Sequence, residues 1–166
     1  VRIWLKGKPP FASSTPKSTA MSKPRKGRKA LTIQIKSEET RLERGQRALE
    51  TIDGQAGQNV IDALADIAPD FATYLFEFPF GDIYSRPGLS LRDREVATIS
   101  ALAAMGTAQP QLKVHIEAGL NVGISQEEIT EILMQMAVYA GFPAALNGLF
   151  AAKEVFAARA QAEGRT

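Results

Sequence analysis

Residues 96–111 and 132–152 run for sixteen and twenty-one positions without a charged side chain. Stretches of that length belong in a buried core, in an interface between copies of the chain, or in a membrane. The second stretch is long enough to raise the membrane question. Gly141-Phe142-Pro143 breaks it at its middle, and Gln135, Asn147 and many alanines dilute it, so the reading is no membrane. The apolar excess then goes to a core and to a homo-oligomer interface, because the frequent Ala and Gly let helices approach closely.

Helix punctuation frames both stretches. Ser90-Leu91-Arg92-Asp93 opens a helix over 90–106 ended by Gly106, and Ser125-Gln126-Glu127-Glu128 opens another running to about Ala140. Between them a helix over 109–121 carries His115 and stops at Gly123, and a last helix runs from Pro143 towards Ala162. Upstream, Ser37 is placed to cap a helix reaching Ile52, with Asp53-Gly54 as its stop. Val60, Ile61, Leu64 and Ile67 fit a short second helix, and Phe71, Tyr74, Leu75 and Phe78 follow Pro69 at helical spacing. Residues 79–90, with two prolines and two glycines, read as a loop. No run alternates with period two over strand length, so the prediction is all-α with six or seven helices.

Charge divides the chain. Residues 1–37 hold ten of the twenty Lys and Arg and none of the eighteen acids, so the remainder sets ten cations against eighteen acids, a net of −8. The division predicts a basic arm, residues 1–36, rich in Pro and Ser and disordered or loosely attached, before an acidic helical domain at 37–166. Three readings of the arm stay open: upstream or appended sequence before a start at Met21, a transit peptide, or a nucleic-acid or membrane tether through Lys23–Lys29. The domain itself is not expected to bind nucleic acid. The arm has no apolar run of the kind a secretory signal needs, and a cytoplasmic location is expected.

With no cysteine and one histidine, the chain has no thiol chemistry and no multi-histidine metal site, and no metal is expected. Glu95, at the start of its helix and at the edge of the uncharged stretch, has Leu91, Ile99 and Leu102 on its side. A carboxylate there is either an acid–base group or a dipole-favoured glutamate paired with Arg92. His115 lies at the margin of the Leu112, Ile116, Leu120 stripe beside the gap left by Gly119, which admits either a ligand or another helix. It is a structural histidine or the proton carrier. Gln135, Tyr139 and Asn147 are satisfied core groups or pocket donors, and Arg86 is a surface cation or an anchor for an anion. There is no phosphate-binding loop, no GxSxG and no HExxH.

Three blocks, YSRPGLSLRDREVATISALAAMG at 84–106, HIEAGLNVG at 115–123 and AVYAGFPAALN at 137–147, together closely resemble the carboxymuconolactone decarboxylase family over about residues 45–157. The resemblance implies an alkylhydroperoxidase-D-like helical fold assembled as trimers or hexamers. The peroxidase branch of that superfamily carries a Cys-x-x-Cys pair between its glutamate and histidine. The absence of cysteine here excludes that chemistry. The decarboxylase branch converts 4-carboxymuconolactone to 3-oxoadipate enol-lactone in protocatechuate breakdown, the β-ketoadipate pathway, without a cofactor. By this resemblance His115 and Glu95 are the catalytic proton-transfer pair, Tyr139 or Gln135 donates to the oxyanion, and Arg86 or Lys113 holds the second carboxylate. A different small substrate, or an oligomer that binds a ligand without turnover, is the alternative.

Overall fold

The computed structural model describes residues 30–164, and the readings made for residues 1–29 lie outside the described residues. Seven α-helices and one π-helical segment make up the described chain, with no strand among the described residues. The helices are α1 (Arg41–Ile52), α2 (Gly54–Asp62), α3 (Pro69–Leu75), α4 (Leu91–Met105), α5 (Gln109–Asn121), α6 (Gln126–Tyr139) and α7 (Phe142–Glu163). The π-helical segment, Phe76–Tyr84, continues directly from α3.

The first helix starts later than Ser37. Thr40 accepts from the Glu43 backbone N–H while the Glu43 carboxylate accepts from that of Thr40, a reciprocal capping box. Ser37 has Thr40 three residues on, not the Glu or Gln that closes a capping box. The second helix ends at Asp62, so Leu64 and Ile67 fall beyond it, and Ile67 is exposed. The loop predicted from residue 79 is helical to Tyr84 instead. A π turn omits some of the usual backbone bonds, and Pro79, which has no N–H to give, sits inside it.

That segment is held by α1. A Cβ on Gly45 would lie 1.9 Å from the Phe76 carbonyl oxygen, so only glycine permits this approach. Arg44 Nε donates to the Gly81 carbonyl at 2.7 Å, and Arg41 pairs with both Asp82 and Glu77.

The core is built where α4 to α7 cross: Leu91 and Ile99 of α4, Ile116 of α5, and Ile129 and Leu133 of α6 are fully buried. Each contributes about 1.5–3 kcal/mol by leaving water. Of the two readings of the Gly119 gap, a ligand or another helix, the structure shows the second. The side chains of Ile99, Ile124 and Ile129 fill it, and a Cβ there would stand 3.0 Å from Ile99 Cδ1.

The packed structure also begins before Ser37. Leu91 N–H donates to the Leu31 carbonyl at 2.9 Å, Ile33 is buried in the core, and Arg47 donates to the Gln34 carbonyl. Residues 31–34, assigned to the arm on charge, are a strap across the helices.

The 132–152 stretch is divided between inside and outside. Leu133, Met136, Ala145, Ala151 and Ala152 are buried, whereas Val138 and Tyr139 at the end of α6 and Phe142, Leu146 and Phe150 at four-residue spacing on α7 are exposed. Among the described residues no helix is long and apolar enough to cross a membrane.

Candidate active site

Two antiparallel helices, α4 and α5, joined through Gly106 in the left-handed region (φ 69°), set Glu95 against His115. The Glu95 side chain is completely buried and its Oε2 lies 2.9 Å from His115 Nδ1. A carboxylate can only accept, so the imidazole proton sits on Nδ1 and Nε2 is left to exchange protons with the cavity that His115 lines. Arg92, the alternative partner for Glu95, pairs with Glu128 instead. The pair therefore has its counter-charge across the helix interface rather than along α4.

A second carboxyl completes the cluster. Asp53 lies at the corner between α1 and α2, is 4% exposed, and offers an oxygen within 4.8 Å of donor atoms of Glu95 and His115. Two contacts place that corner: Asn121 Nδ2 of α5 donates to the Ile52 carbonyl at 3.1 Å, and Gly57 leaves room that a Cβ would take, 2.6 Å from Asp53 Cβ. Among the described residues, Asp53 Oδ1 and Glu95 Oε1 are buried without a hydrogen-bond partner.

The cluster opens onto a cavity of about 430 Å³ whose wall is mostly apolar, from residues such as Leu49, Val60 and Phe80. Its polar groups are Asp53, Tyr84, Thr98, Gln111 and His115. The Tyr84 hydroxyl and Thr98 Oγ1 are 2.8 Å apart, and the Arg94 guanidinium lies 5.9 Å from the Tyr84 ring centre.

Burial and charge tune these groups. Burial, opposed by His115 and assisted by Glu95, pushes the Asp53 carboxyl up to about 7. Burial pulls His115 down, but the hydrogen bond and charge of Glu95, with the charge of Asp53, outweigh it and raise the imidazole above its ordinary value. Burial and then the charge of Glu95 push the Tyr84 phenol up, so it remains a neutral donor. Asp53, Glu95 and His115 are also a donor set able to ligate a divalent ion. An ion held through His115 Nδ1 would have to displace the proton directed at Glu95.

Of the six residues to which the family resemblance gives site roles, the structure brings Glu95 and His115 together. The other four lie outside the cavity of the protomer. Arg86 is exposed and uses its carbonyl to accept from Arg94. Lys113 is two positions from His115, about 200° round the helix, where it pairs with Glu154 beside a separate groove of about 500 Å³. Gln135 and Tyr139 are exposed on α6, Tyr139 at 78%. Asp53, Tyr84, Thr98 and Gln111 stand in their place. Asp53 gave no signal of this role, since Asp-Gly after a helix reads only as its stop. Tyr84 opens the first of the three motif blocks.

A model of the carboxymuconolactone decarboxylase family matches residues 69–154, a span that contains Tyr84, Glu95, Thr98, Gln111 and His115. The chain belongs to the carboxymuconolactone decarboxylase family. It is 31% identical over 121 residues to 4-carboxymuconolactone decarboxylase of Acinetobacter baylyi, covering 72% of this chain and 90% of the relative. It is 32% identical over 96 residues to an uncharacterized 15.0 kDa protein from the nqo9-nqo10 intergenic region of Paracoccus denitrificans, 57% of this chain and 72% of that one. A nitrosuccinic acid decarboxylase of Metarhizium robertsii is 29% identical over 73 residues, 44% of this chain and 50% of the relative. Two of these relatives are named decarboxylases, which supports carboxy-lyase chemistry in this family member. Asp53 lies outside the span of the family match.

Proposed function

We propose that this protein decarboxylates 4-carboxymuconolactone to 3-oxoadipate enol-lactone, with no cofactor and in the cytoplasm. The observation that carries the reading is the buried Glu95–His115 pair at 2.9 Å, opening onto an apolar cavity. Loss of CO₂ from the ring carbon sends the bond's electron pair through the ring double bond into the lactone carbonyl. The resulting dienolate needs a donor at its oxygen and a proton at the carbon next to the carbonyl. The Tyr84 hydroxyl, neutral and facing the cavity, is the donor. Among the described residues no Lys or Arg lines the cavity, so the His115 imidazolium, stabilised by Glu95, is the cation there that the substrate meets. This replaces Arg86 and Lys113 as anchors and Tyr139 and Gln135 as oxyanion donors. The apolar wall disfavours a charged carboxylate and favours its departure as neutral CO₂.

The nitrosuccinic acid relative favours a second substrate of the same logic. Loss of the carboxyl beside a nitro group also leaves a carbanion delocalised into an acceptor, which then takes a proton on carbon. The exposed apolar residues of α6 and α7 support a homo-oligomer, a trimer or hexamer, as the working form.

Adding 4-carboxymuconolactone to the purified full chain and following lactone loss against the spontaneous rate tests the reading. Rapid decay that His115→Ala removes is expected. Decay at the background rate, with nitrosuccinate turned over instead, moves the substrate to the second reading. Background rates with both leave a ligand-binding oligomer.

A further inference from the structure

Asp53 is well made for a task that its position in the fold does not require. Aspartate is a favoured helix N-cap, yet the Asp53 side chain makes no capping bond to α2. Its backbone alone closes α1, donating to the Leu49 carbonyl at 2.8 Å. The carboxyl is instead turned inward, with Oδ1 buried and unpartnered among the described residues, at the wall of the cavity and within 4.8 Å of Glu95 and His115. Two buried carboxylates so close do not both carry charge beside a single imidazolium unless something else neutralises them. Glu95 is committed as the acceptor of His115 Nδ1–H, which leaves the proton to Asp53. Among the described residues, the ionisable groups that face Asp53 are Glu95 from α4, His115 from α5 and Tyr84 from the π-helical segment.

Resting on the decarboxylase reading above, we propose that Asp53 is the catalytic acid, the group that hands the proton to the carbanion carbon, and that the His115–Glu95 pair recharges it. The C–CO₂ bond breaks and its electron pair moves into the acceptor. The Asp53 O–H bond then breaks as the new C–H bond forms next to the carbonyl. Asp53 is left as a carboxylate, takes a proton from the His115 imidazolium, and His115 is reprotonated by water. One proton enters from solvent and one CO₂ leaves per turnover.

Asp53→Asn keeps the shape and removes the acid. With the full chain, the expected result is a drop in kcat of about 10²–10⁴-fold at unchanged helical circular dichroism. Wild-type kcat should also decline above about pH 7, where a carboxyl raised so far from its ordinary range ionises, and the variant should keep only the decline that follows loss of the His115 imidazolium. Infrared spectra supply a readout that needs no substrate: a protonated-carboxyl band in the wild type at about pH 6, missing from the variant. A variant within about threefold of wild type, or a wild type without the band, overturns the proposal. So does a divalent ion retained by the wild type and lost from the variant. A wild type that shows the band but does not turn over the lactone fails the decarboxylase reading, and the delivery step falls with it.

Discussion

Burial makes a proton carrier of Glu95 and His115. In water the two would form a weak, screened pair, but Glu95 has no exposed surface and its charge is balanced chiefly by the imidazole 2.9 Å away. Glu95→Gln and His115→Ala should each lower kcat/KM by about 10²–10⁴-fold. Removing Glu95 altogether, as Ala, should also cost about 3–5 kcal/mol of stability, read by chemical denaturation. Asp53 makes a separate prediction. Its native value is raised from 3.8 to about 7, so the folded state binds its proton more tightly than the unfolded chain does. The associated stability is fully present below about pH 4 and declines as pH rises to about 7, by up to about 4 kcal/mol. His115, raised above its ordinary 6.5, has the same sign, and its contribution is lost as pH rises through its native value. Asp53→Asn should therefore flatten the dependence between pH 4 and 7 and be more stable than wild type at about pH 8. Denaturant midpoints at about pH 5 and about pH 8 check it.

The helix elements differ in how far local sequence specifies them. Helices α4 to α7 carry their own signals, such as the Ser90 and Ser125 caps, the proline in the first turn of α5 and the left-handed Gly106 and Gly141. Their bounds were readable to within a residue or two. The Phe76–Tyr84 segment was not, because Pro79 and Gly81 are loop residues in any local reading. Packing against α1 makes it helical, and the contact depends on Gly45. Gly45→Ala drives a methyl group into the Phe76 carbonyl and should cost about 3 kcal/mol or more. At Gly148 a Cβ would meet the movable Leu133 Cδ2 at 2.7 Å, so Gly148→Ala should cost about 1 kcal/mol. Thermal melts of the two variants test the contrast. A chain begun at Ser37 discards Ile33, which is 6% exposed, and should lose about 2 kcal/mol against one begun at Ala30.

At the scale of the whole molecule, α6 and α7 leave large apolar side chains open to water. Val138, Tyr139, Phe142 and Phe150 are each more than half exposed, and an assembly of copies would cover them. Phe142→Glu or Val138→Glu should yield a smaller species by light scattering with helical content unchanged. A species of wild-type size would exclude this face as the interface. Extended dialysis against a chelator should leave lactone turnover unaffected, because protons and not a metal ion are assigned the work.

What this sequence determined by itself was local or compositional: an all-helical chain, helices bounded by caps and glycines, no thiol chemistry, and Glu95 and His115 as the groups to watch. The first three follow from side-chain period, capping chemistry and residue counts, which need no knowledge of distant neighbours, and the family resemblance gave Glu95 and His115 their roles. Only the tertiary structure decided that the Gly119 gap is filled, that residues 31–34 belong to the domain, that Arg86, Lys113, Gln135 and Tyr139 lie outside the cavity, and that Asp53 belongs to the cluster. Each depends on which surfaces meet across the fold. Asp53 is 42 residues from Glu95 and 62 from His115, and α1 packing on the π-helical segment and α5 brings the three together.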